Sequence, residues 1–204
     1  MTSSRYPIPA ATKRAEIKVL NSRFVATAGT ADSVEAAKAF VAAVRREFHD
    51  ATHHVFAYRI GYGGSIVEGM SDDGEPPGTA ARPALTVLRG ADLGDVVLVI
   101  TRYFGGTKLG TGGLVRAYTQ AAQQVLSELP RTERVERRAG EIIVSYNLYS
   151  RVKQLLAQEG GEIASEEFGG EIRMEFNLPV DAQEQFEKAL TGLSLGRIGV
   201  SWDE

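Results

Sequence analysis

The sequence lacks cysteine altogether among its 204 residues. Disulfides, thiolate zinc sites and cysteine nucleophiles are therefore excluded. No apolar run approaches the roughly 18 residues needed to span a bilayer, so no membrane association is predicted. The first twenty residues mix Ser, Pro, Lys and Arg without an apolar core, which is not the pattern of a secretory signal. These absences predict a cytoplasmic protein.

The composition that remains, 43% hydrophobic and 24% charged, is that of an ordinary globular chain. The net charge is −3, and it is unevenly distributed. Residues 1–130 hold 14 Lys and Arg against 12 Asp and Glu, whereas residues 131–204 hold 9 against 14. An anionic partner should therefore prefer a local patch in the N-terminal half.

Hydrophobic patterning predicts alternating strands and helices in the N-terminal half. Residues 95–101 form a continuous apolar run that is typical of a strand buried on both faces. Residues 61–78 are rich in Gly, Ser and Asp and predict a loop before a helix over 79–89. A second loop is expected over 102–112, followed by a helix over 113–129 with an apolar face.

The C-terminal half has a different pattern. A break at Leu129-Pro130 and the mixed charges after it predict two domains, at 1–131 and 135–204. Gly169-Gly170 supplies a two-residue turn between two short strands. The predicted order there is β-α-β-β-α-β, the ferredoxin-like sandwich. The fold class is therefore predicted to be α+β.

Ser71–Pro83 is the first segment that carries candidate chemistry. Asp72, Asp73 and Glu75 lie close together on a turn, where they would repel one another without a cation, an arginine or water. They could hold Mg²⁺ or pair with basic side chains. They could equally form a turn that caps the following helix near Thr79. The spacing fits no calcium loop, so neither a metal site nor a cofactor is predicted.

Arg102–Tyr118 is the second segment. Its residues 105–113 include five glycines, which allow backbone N–H groups to face outward and cradle an oxyanion. A helix starting there would add the positive end of its dipole. The alternative is a tight loop whose glycines permit close packing. The candidate ligand-binding or nucleic-acid-binding residues of this segment are Arg102, Tyr103, Gly105, Gly106, Lys108, Gly110, Thr111, Gly112, Gly113 and Arg116.

Two adjacent histidines, His53 and His54, occupy a predicted strand. Because side chains alternate along a strand, one should face the core and the other the opposite side. A structural role is the simpler interpretation, and His53 is retained as a candidate base or ligand contact. No catalytic residue is assigned.

Two stretches resemble a known family. The motifs D-D-G-E-P-x-G-T-A at 72–80 and R-Y-F-G-G-x-x-L-G-x-G-G-L-x-R-A-Y at 102–118 resemble the signatures of the IMPACT family, in its bacterial YigZ-like branch. The resemblance covers essentially the whole chain. It departs at Ala81, where the family pattern usually has glycine, and alanine would be strained there if φ were positive.

The resemblance implies an N-terminal domain like the second domain of ribosomal protein S5. It also implies a C-terminal domain like the last domain of elongation factor G. For eukaryotic relatives it implies control of translation by competition for an activator of a starvation-responsive kinase. That role depends on an additional N-terminal domain that these 204 residues do not include, so we do not expect the kinase mechanism to transfer.

Three functional hypotheses follow. The first is a translation-associated regulator that binds RNA or the ribosome through the polar, glycine-rich cleft of the N-terminal domain. The second is an enzyme acting on a nucleotide or phosphorylated small molecule, with the acidic cluster holding Mg²⁺ and the glycine loop holding phosphate. The third is a protein–protein adaptor whose acidic C-terminal domain docks on a basic partner. Of these, the sequence favours binding over catalysis.

Overall fold

The computed structural model describes residues 4–203, and the chain divides into two compact units, Met1–Arg134 and Val135–Glu204. The first unit is built around a five-stranded sheet. Its elements, in chain order, are β1 (Arg5–Pro9), β2 (Lys13–Val19), β3 (Ser22–Thr30), α1 (Val34–Glu47), β4 (His53–Ile60), β5 (Val67–Ser71), α2 (Ala81–Arg89), β6 (Val96–Tyr103) and α3 (Gly110–Glu128). Strand β7 (Arg131–Val135) follows, and its last residue belongs to the second unit.

The central sheet has the order β2-β3-β6-β4-β5, and every neighbouring pair is antiparallel. Strand β6 lies in the middle, and its apolar run is buried on both faces. One face packs against α2 and α3 through Leu98 and Ile100. The other packs against α1 through Val97 and Val99. The predicted doubly buried strand is therefore observed, because helices cover both of its faces.

The second unit comprises β8 (Arg137–Val144), α4 (Tyr146–Gln158), β9 (Glu162–Phe168), β10 (Ile172–Pro179), α5 (Gln183–Ser194) and β11 (Ser201–Trp202). Its sheet order is β11-β8-β10-β9, with antiparallel neighbours. Both helices pack on one face, around a core that includes Met174 and Phe186. The α+β class and the β-α-β-β-α-β order are confirmed.

Several local predictions are corrected. The expected loop over 61–78 contains strand β5, whose short run Val67–Ser71 pairs with β4 at the sheet edge. Helix α3 begins at Gly110 rather than Gly113, so part of the glycine segment is helical. Ala81 is the first residue of α2 and is not among the positive-φ residues, so the expected strain at this position is absent. Among residues 4–203, no helix is both long and apolar enough to cross a membrane.

Candidate functional site

Arg102 is positioned by the alternation of side chains along β6. Leu98 and Ile100 face α2 and α3, so Arg102 extends the same row toward the start of α3. The neighbouring strands place Phe24 and His53 directly opposite it. A charged side chain is thereby carried to the end of an apolar core, where it is only 4% exposed.

A carboxylate and two aromatic rings surround the Arg102 guanidinium. Its Nη1 donates to Oε1 of Glu75 at 2.6 Å, and its Nη2 donates to Oγ of Ser22 at 3.3 Å. Its Cζ lies 5.4 Å from the ring centroid of Phe24 and 5.5 Å from that of Phe104. A charge this deeply buried needs such compensation, because desolvation alone would make it strongly unfavourable.

Glu75 is the centre of this buried network. The Tyr118 hydroxyl donates to its Oε1 at 2.7 Å, and Nε2 of His53 lies 4.0 Å from its Oε2. Burial, reinforced by the adjacent Glu75 carboxylate, raises the pKa of Tyr118 far above its usual value. Tyr118 therefore remains a hydrogen-bond donor at every physiological pH, and it fixes Glu75 in place together with Arg102.

One buried polar atom of this network has no partner. Nε of Arg102 has no hydrogen bond within the part of the chain that the structure describes. Buried donors are rarely left unpaired, because the lost hydration is not recovered.

The other two carboxylates of the acidic segment point to different partners. Asp72 accepts hydrogen bonds from the backbone N–H groups of Gly78, Ala80 and Ala81, so it closes the turn and caps the start of α2. Asp73 pairs with Arg45 and accepts from the backbone N–H of His54. The contacts of Asp72 correspond to the turn-and-cap hypothesis, whereas the ion pair of Asp73 with Arg45 corresponds to the alternative of pairing with basic side chains.

The acidic cluster does not converge on one point. Among residues 4–203 there is no group of three or more His, Asp or Glu side chains arranged to hold a metal ion. The carboxylates of Asp72, Asp73 and Glu75 are each directed to protein donors. The magnesium arrangement of the enzyme hypothesis therefore has no preformed ligand set in the described residues. Thr79 is also occupied by the turn, where its hydroxyl donates to the carbonyl of Pro76 at 2.7 Å.

The glycines of the second segment have different structural roles. At Gly105 a Cβ atom would lie 1.8 Å from the carbonyl oxygen of Asn21, so any side chain there forces the backbone to shift. Gly106 and Gly110 have positive φ values of 81° and 70°, which favour glycine. Gly112 lies in α3, and a Cβ there would meet nothing within 4 Å. Gly113, one residue further on, would approach only Leu109, at 3.1 Å.

Tyr103 does not join the cleft. It follows Arg102 in β6, so its side chain takes the opposite face of the sheet. Its hydroxyl donates to Oδ1 of Asp50 at 2.9 Å, and its ring contacts the Arg23 guanidinium. Burial raises the pKa of Tyr103, and the Asp50 carboxylate raises it further. Tyr103, a candidate binding residue from the sequence, therefore lies outside the cleft, whereas its neighbour Phe104 lines the cleft and is 46% exposed.

A cleft of about 330 Å³ lies between the two segments. Its lining combines buried charges, apolar side chains and the start of α3, and consists of Glu75, Pro76, Arg102, Phe104, Lys108, Leu109, Gly110, Thr111 and Leu114. Arg116 follows Leu114 by two residues in α3; it is exposed and does not line the cleft. The sequence candidates therefore include five of the nine lining residues and omit Pro76, Phe104, Leu109 and Leu114.

Ser22 and Tyr118 are the supporting residues that the candidate set omitted. Tyr118 does carry a sequence signal, because it shares a helical face with Leu114 and Ala121. A buried tyrosine at such a position needs a partner for its hydroxyl. Ser22 carries no comparable signal.

His54 is buried on the other face of the sheet, where its Nδ1 lies 3.2 Å from Oγ1 of Thr101. Burial lowers the pKa of His54; the Asp73 carboxylate opposes this effect, whereas Arg45 and His53 add to it. The unfolded chain therefore binds a proton at this residue more readily than the folded chain. Stability contributed by neutral His54 is present above about pH 6.5 and declines as pH falls below that value.

We expect His54→Gln to reduce the dependence of stability on pH below about pH 6.5. The wild-type free energy of unfolding should fall by at most about 1.4 kcal/mol per pH unit through this group. Urea unfolding at several pH values measures both slopes. An identical slope in the variant would assign the dependence to other residues.

The fold and the site together define a class: a two-unit α+β protein with a glycine-rich helix start beside a buried Arg–Glu pair. Residues 20–126 match the Impact N-terminal domain, and residues 142–197 match a domain of unknown function, DUF1949. The chain belongs to the IMPACT family.

Relatives of the same length support this assignment. The chain is 36% identical to the IMPACT family member YigZ of Escherichia coli K12 over 192 residues, covering 94% of each protein. It is 36% identical to an IMPACT family member of Haemophilus influenzae over 196 residues, covering 96% of this chain and 95% of the relative. A crystal structure described as that of an hypothetical protein superposes with a TM-score of 0.72 at 35% identity, covering 100% of this chain and 98% of the other.

Proposed function

We propose that this chain is a translation-associated factor that binds RNA, free or within the ribosome, through the cleft of its N-terminal unit. The observation that carries the proposal is the start of α3. Leu109 precedes this helix and offers no side-chain cap, so its first N–H groups have no side-chain acceptor. They lie beside Lys108 at the cleft, an arrangement that favours a phosphate oxygen.

Exposed cations extend the same surface. Lys108 and Arg116 are both exposed, and neither has an ion-pair partner among residues 4–203. Free cations of this kind attract a phosphate backbone without reading its sequence. The exposed ring of Phe104 supplies a stacking surface for an unpaired base, a contact suited to single-stranded RNA.

The carboxylates of the acidic segment do not cancel the charge of these exposed cations. Glu75 lines the cleft but is paired with Arg102, so it contributes little net negative charge there. Asp73 is likewise paired with Arg45. The ribosomal-type fold that the family resemblance implies is an analogy and adds only circumstantial support.

We expect Lys108→Glu combined with Arg116→Glu to weaken binding to single-stranded RNA by about tenfold or more at physiological salt. The two new carboxylates would repel the RNA phosphates that the lysine and the arginine are proposed to attract. The slope of log affinity against log salt concentration should become shallower by about one for each phosphate that the variant no longer neutralises. Fluorescence anisotropy with a labelled oligonucleotide measures both quantities.

Lys38→Glu is the matched control, since this exposed lysine lies on α1, across the sheet from α3. It should change the affinity much less than the double variant. Wild-type binding that does not depend on salt, or no binding to RNA or ribosomes at all, would contradict the proposal. Binding to a nucleotide without binding to RNA would favour the enzyme hypothesis.

A further inference from the structure

Helix α3 differs from the other helices of its unit in how its amino end is satisfied. Oγ of Ser33 accepts from the backbone N–H of Ala36 in α1, and Asp72 accepts from the start of α2. Helix α3 has 19 residues, and no side chain caps it. Within residues 4–203, its first N–H groups, at the positive end of the helix dipole, therefore have no side-chain acceptor.

A second observation comes from a different element. The side chain of Arg102 is only 5% exposed, it forms part of the wall of the same cleft, and its Nε has no hydrogen-bond partner in residues 4–203. Neither Glu75 nor Ser22 satisfies this donor, since both accept from the terminal nitrogens. Donors from a strand and from a helix are thus both left unsatisfied at one cleft.

The rest of the wall indicates the kind of ligand. Apolar surface comes from Pro76, Phe104, Leu109 and Leu114, which lie beside the charged groups. The volume of about 330 Å³ is near the lower end for small-molecule sites. The polar part suits an oxyanion, and the ring of Phe104 suits an aromatic base.

We propose that the cleft is a binding site for a single phosphorylated nucleotide unit, with its phosphate on the start of α3 and its base against Phe104. This inference deepens the proposed function, on which it rests: the unit bound in the cleft would be one nucleotide of the RNA. The exposed cations attract the RNA backbone as a whole, whereas the cleft binds one nucleotide of it. Glu75 lies in the wall, but its charge is balanced by Arg102, so the phosphate takes the side nearest α3 and Lys108.

The test is a titration of the full chain with three probes: inorganic phosphate, adenosine 5′-monophosphate and adenosine. Isothermal titration calorimetry gives the affinities, and amide chemical shifts report which N–H groups respond. We expect the monophosphate to bind more tightly than phosphate or adenosine by about tenfold. The largest amide shifts should fall on residues 110–113 and on Nε–H of Arg102.

Thr111→Asp places a carboxylate at the start of α3, where Thr111 is exposed and lines the cleft. The new carboxylate interacts favourably with the helix dipole, so folding should be preserved. Because it repels the phosphate, the variant should bind the monophosphate about tenfold or more weakly than the wild type. Thr111→Asn matches its shape without the charge and should weaken binding less. Gln120→Asp adds the same charge about 13 Å further along the helix, beyond the screening length, and is the control.

The outcomes separate this inference from the proposed function. RNA binding that persists in wild-type protein without any binding of the monophosphate would overturn the cleft site and leave RNA binding standing. Monophosphate binding without RNA binding would support the site and overturn RNA binding. Affinities that Thr111→Asp and Gln120→Asp reduce equally, or amide shifts away from residues 110–113, would also overturn the site.

Discussion

Replacing Glu75 with alanine is expected to lower the free energy of unfolding by about 3–5 kcal/mol. The side chains of Glu75 and Arg102 are 3% and 5% exposed, so removing one partner leaves the other charge buried without compensation. The hydroxyl of Tyr118 also loses its acceptor. The loss therefore reflects the uncompensated groups more than the strength of the pair itself. Urea unfolding followed by circular dichroism measures it.

Two variants make this measurement specific. Glu184→Ala removes an exposed partner of Lys188 in α5 and should not change stability measurably, because exposed pairs contribute little. Replacing the whole pair, with Glu75→Leu and Arg102→Met, should recover part of the loss, since no buried charge then remains. A Glu75→Ala variant as stable as the wild type would show that solvent reaches Arg102 in the folded protein.

Gly105→Ala is expected to lower the free energy of unfolding by about 2–3 kcal/mol. A Cβ at this position would lie 1.8 Å from the carbonyl oxygen of Asn21 and 2.0 Å from its carbonyl carbon. These are backbone atoms of the turn between β2 and β3, so the clash cannot be relieved by rotating a side chain. The shift would also weaken the hydrogen bond from the Gly105 N–H to Oγ of Ser22, which is 3.4 Å long.

Gly112→Ala is the matched control for Gly105→Ala, because the two glycines belong to the same segment. A Cβ at Gly112 would meet nothing within 4 Å, and the residue is helical. Alanine should therefore raise stability, by up to about 1 kcal/mol. Thermal unfolding of the two variants should give shifts of opposite sign. Equal shifts of the unfolding temperature would mean that the backbone around Asn21 moves to accommodate the Cβ with little loss of stability.

The comparison of these glycines shows how much of the site the sequence predicts. The sequence located the glycine-rich segment and its placement between a buried strand and a helix, because apolar runs and glycines are local signals. It did not distinguish Gly105, where a Cβ would meet the turn around Asn21, from Gly112, where a Cβ would meet nothing within 4 Å. That difference depends on which backbone lies beside the loop, and this is decided by strand pairing.

In the acidic segment too, the sequence located the residues but did not predict their individual partners. The sequence grouped Asp72, Asp73 and Glu75 and left open a metal site, a pairing with arginines or a cap. The backbone then turns sharply, with positive φ at Asp73 and Gly74. Because side-chain direction depends on these dihedral angles, the three carboxylates have different partners. Asp73 pairs with Arg45, Glu75 pairs with Arg102, and Asp72 accepts from the start of α2.

The sequence by itself determined the α+β class, the β-α-β-β-α-β order of the second unit and the two segments that form the cleft. These depend on the period of the apolar residues and on turn chemistry, which are properties of neighbours along the chain. Only the tertiary structure decided that Arg102 pairs with Glu75. The same holds for two observations within residues 4–203: Nε of Arg102 has no hydrogen-bond partner, and no side chain caps the start of α3. These features involve residues on separate strands, turns and helices, and the packing of those elements determines which groups are in contact.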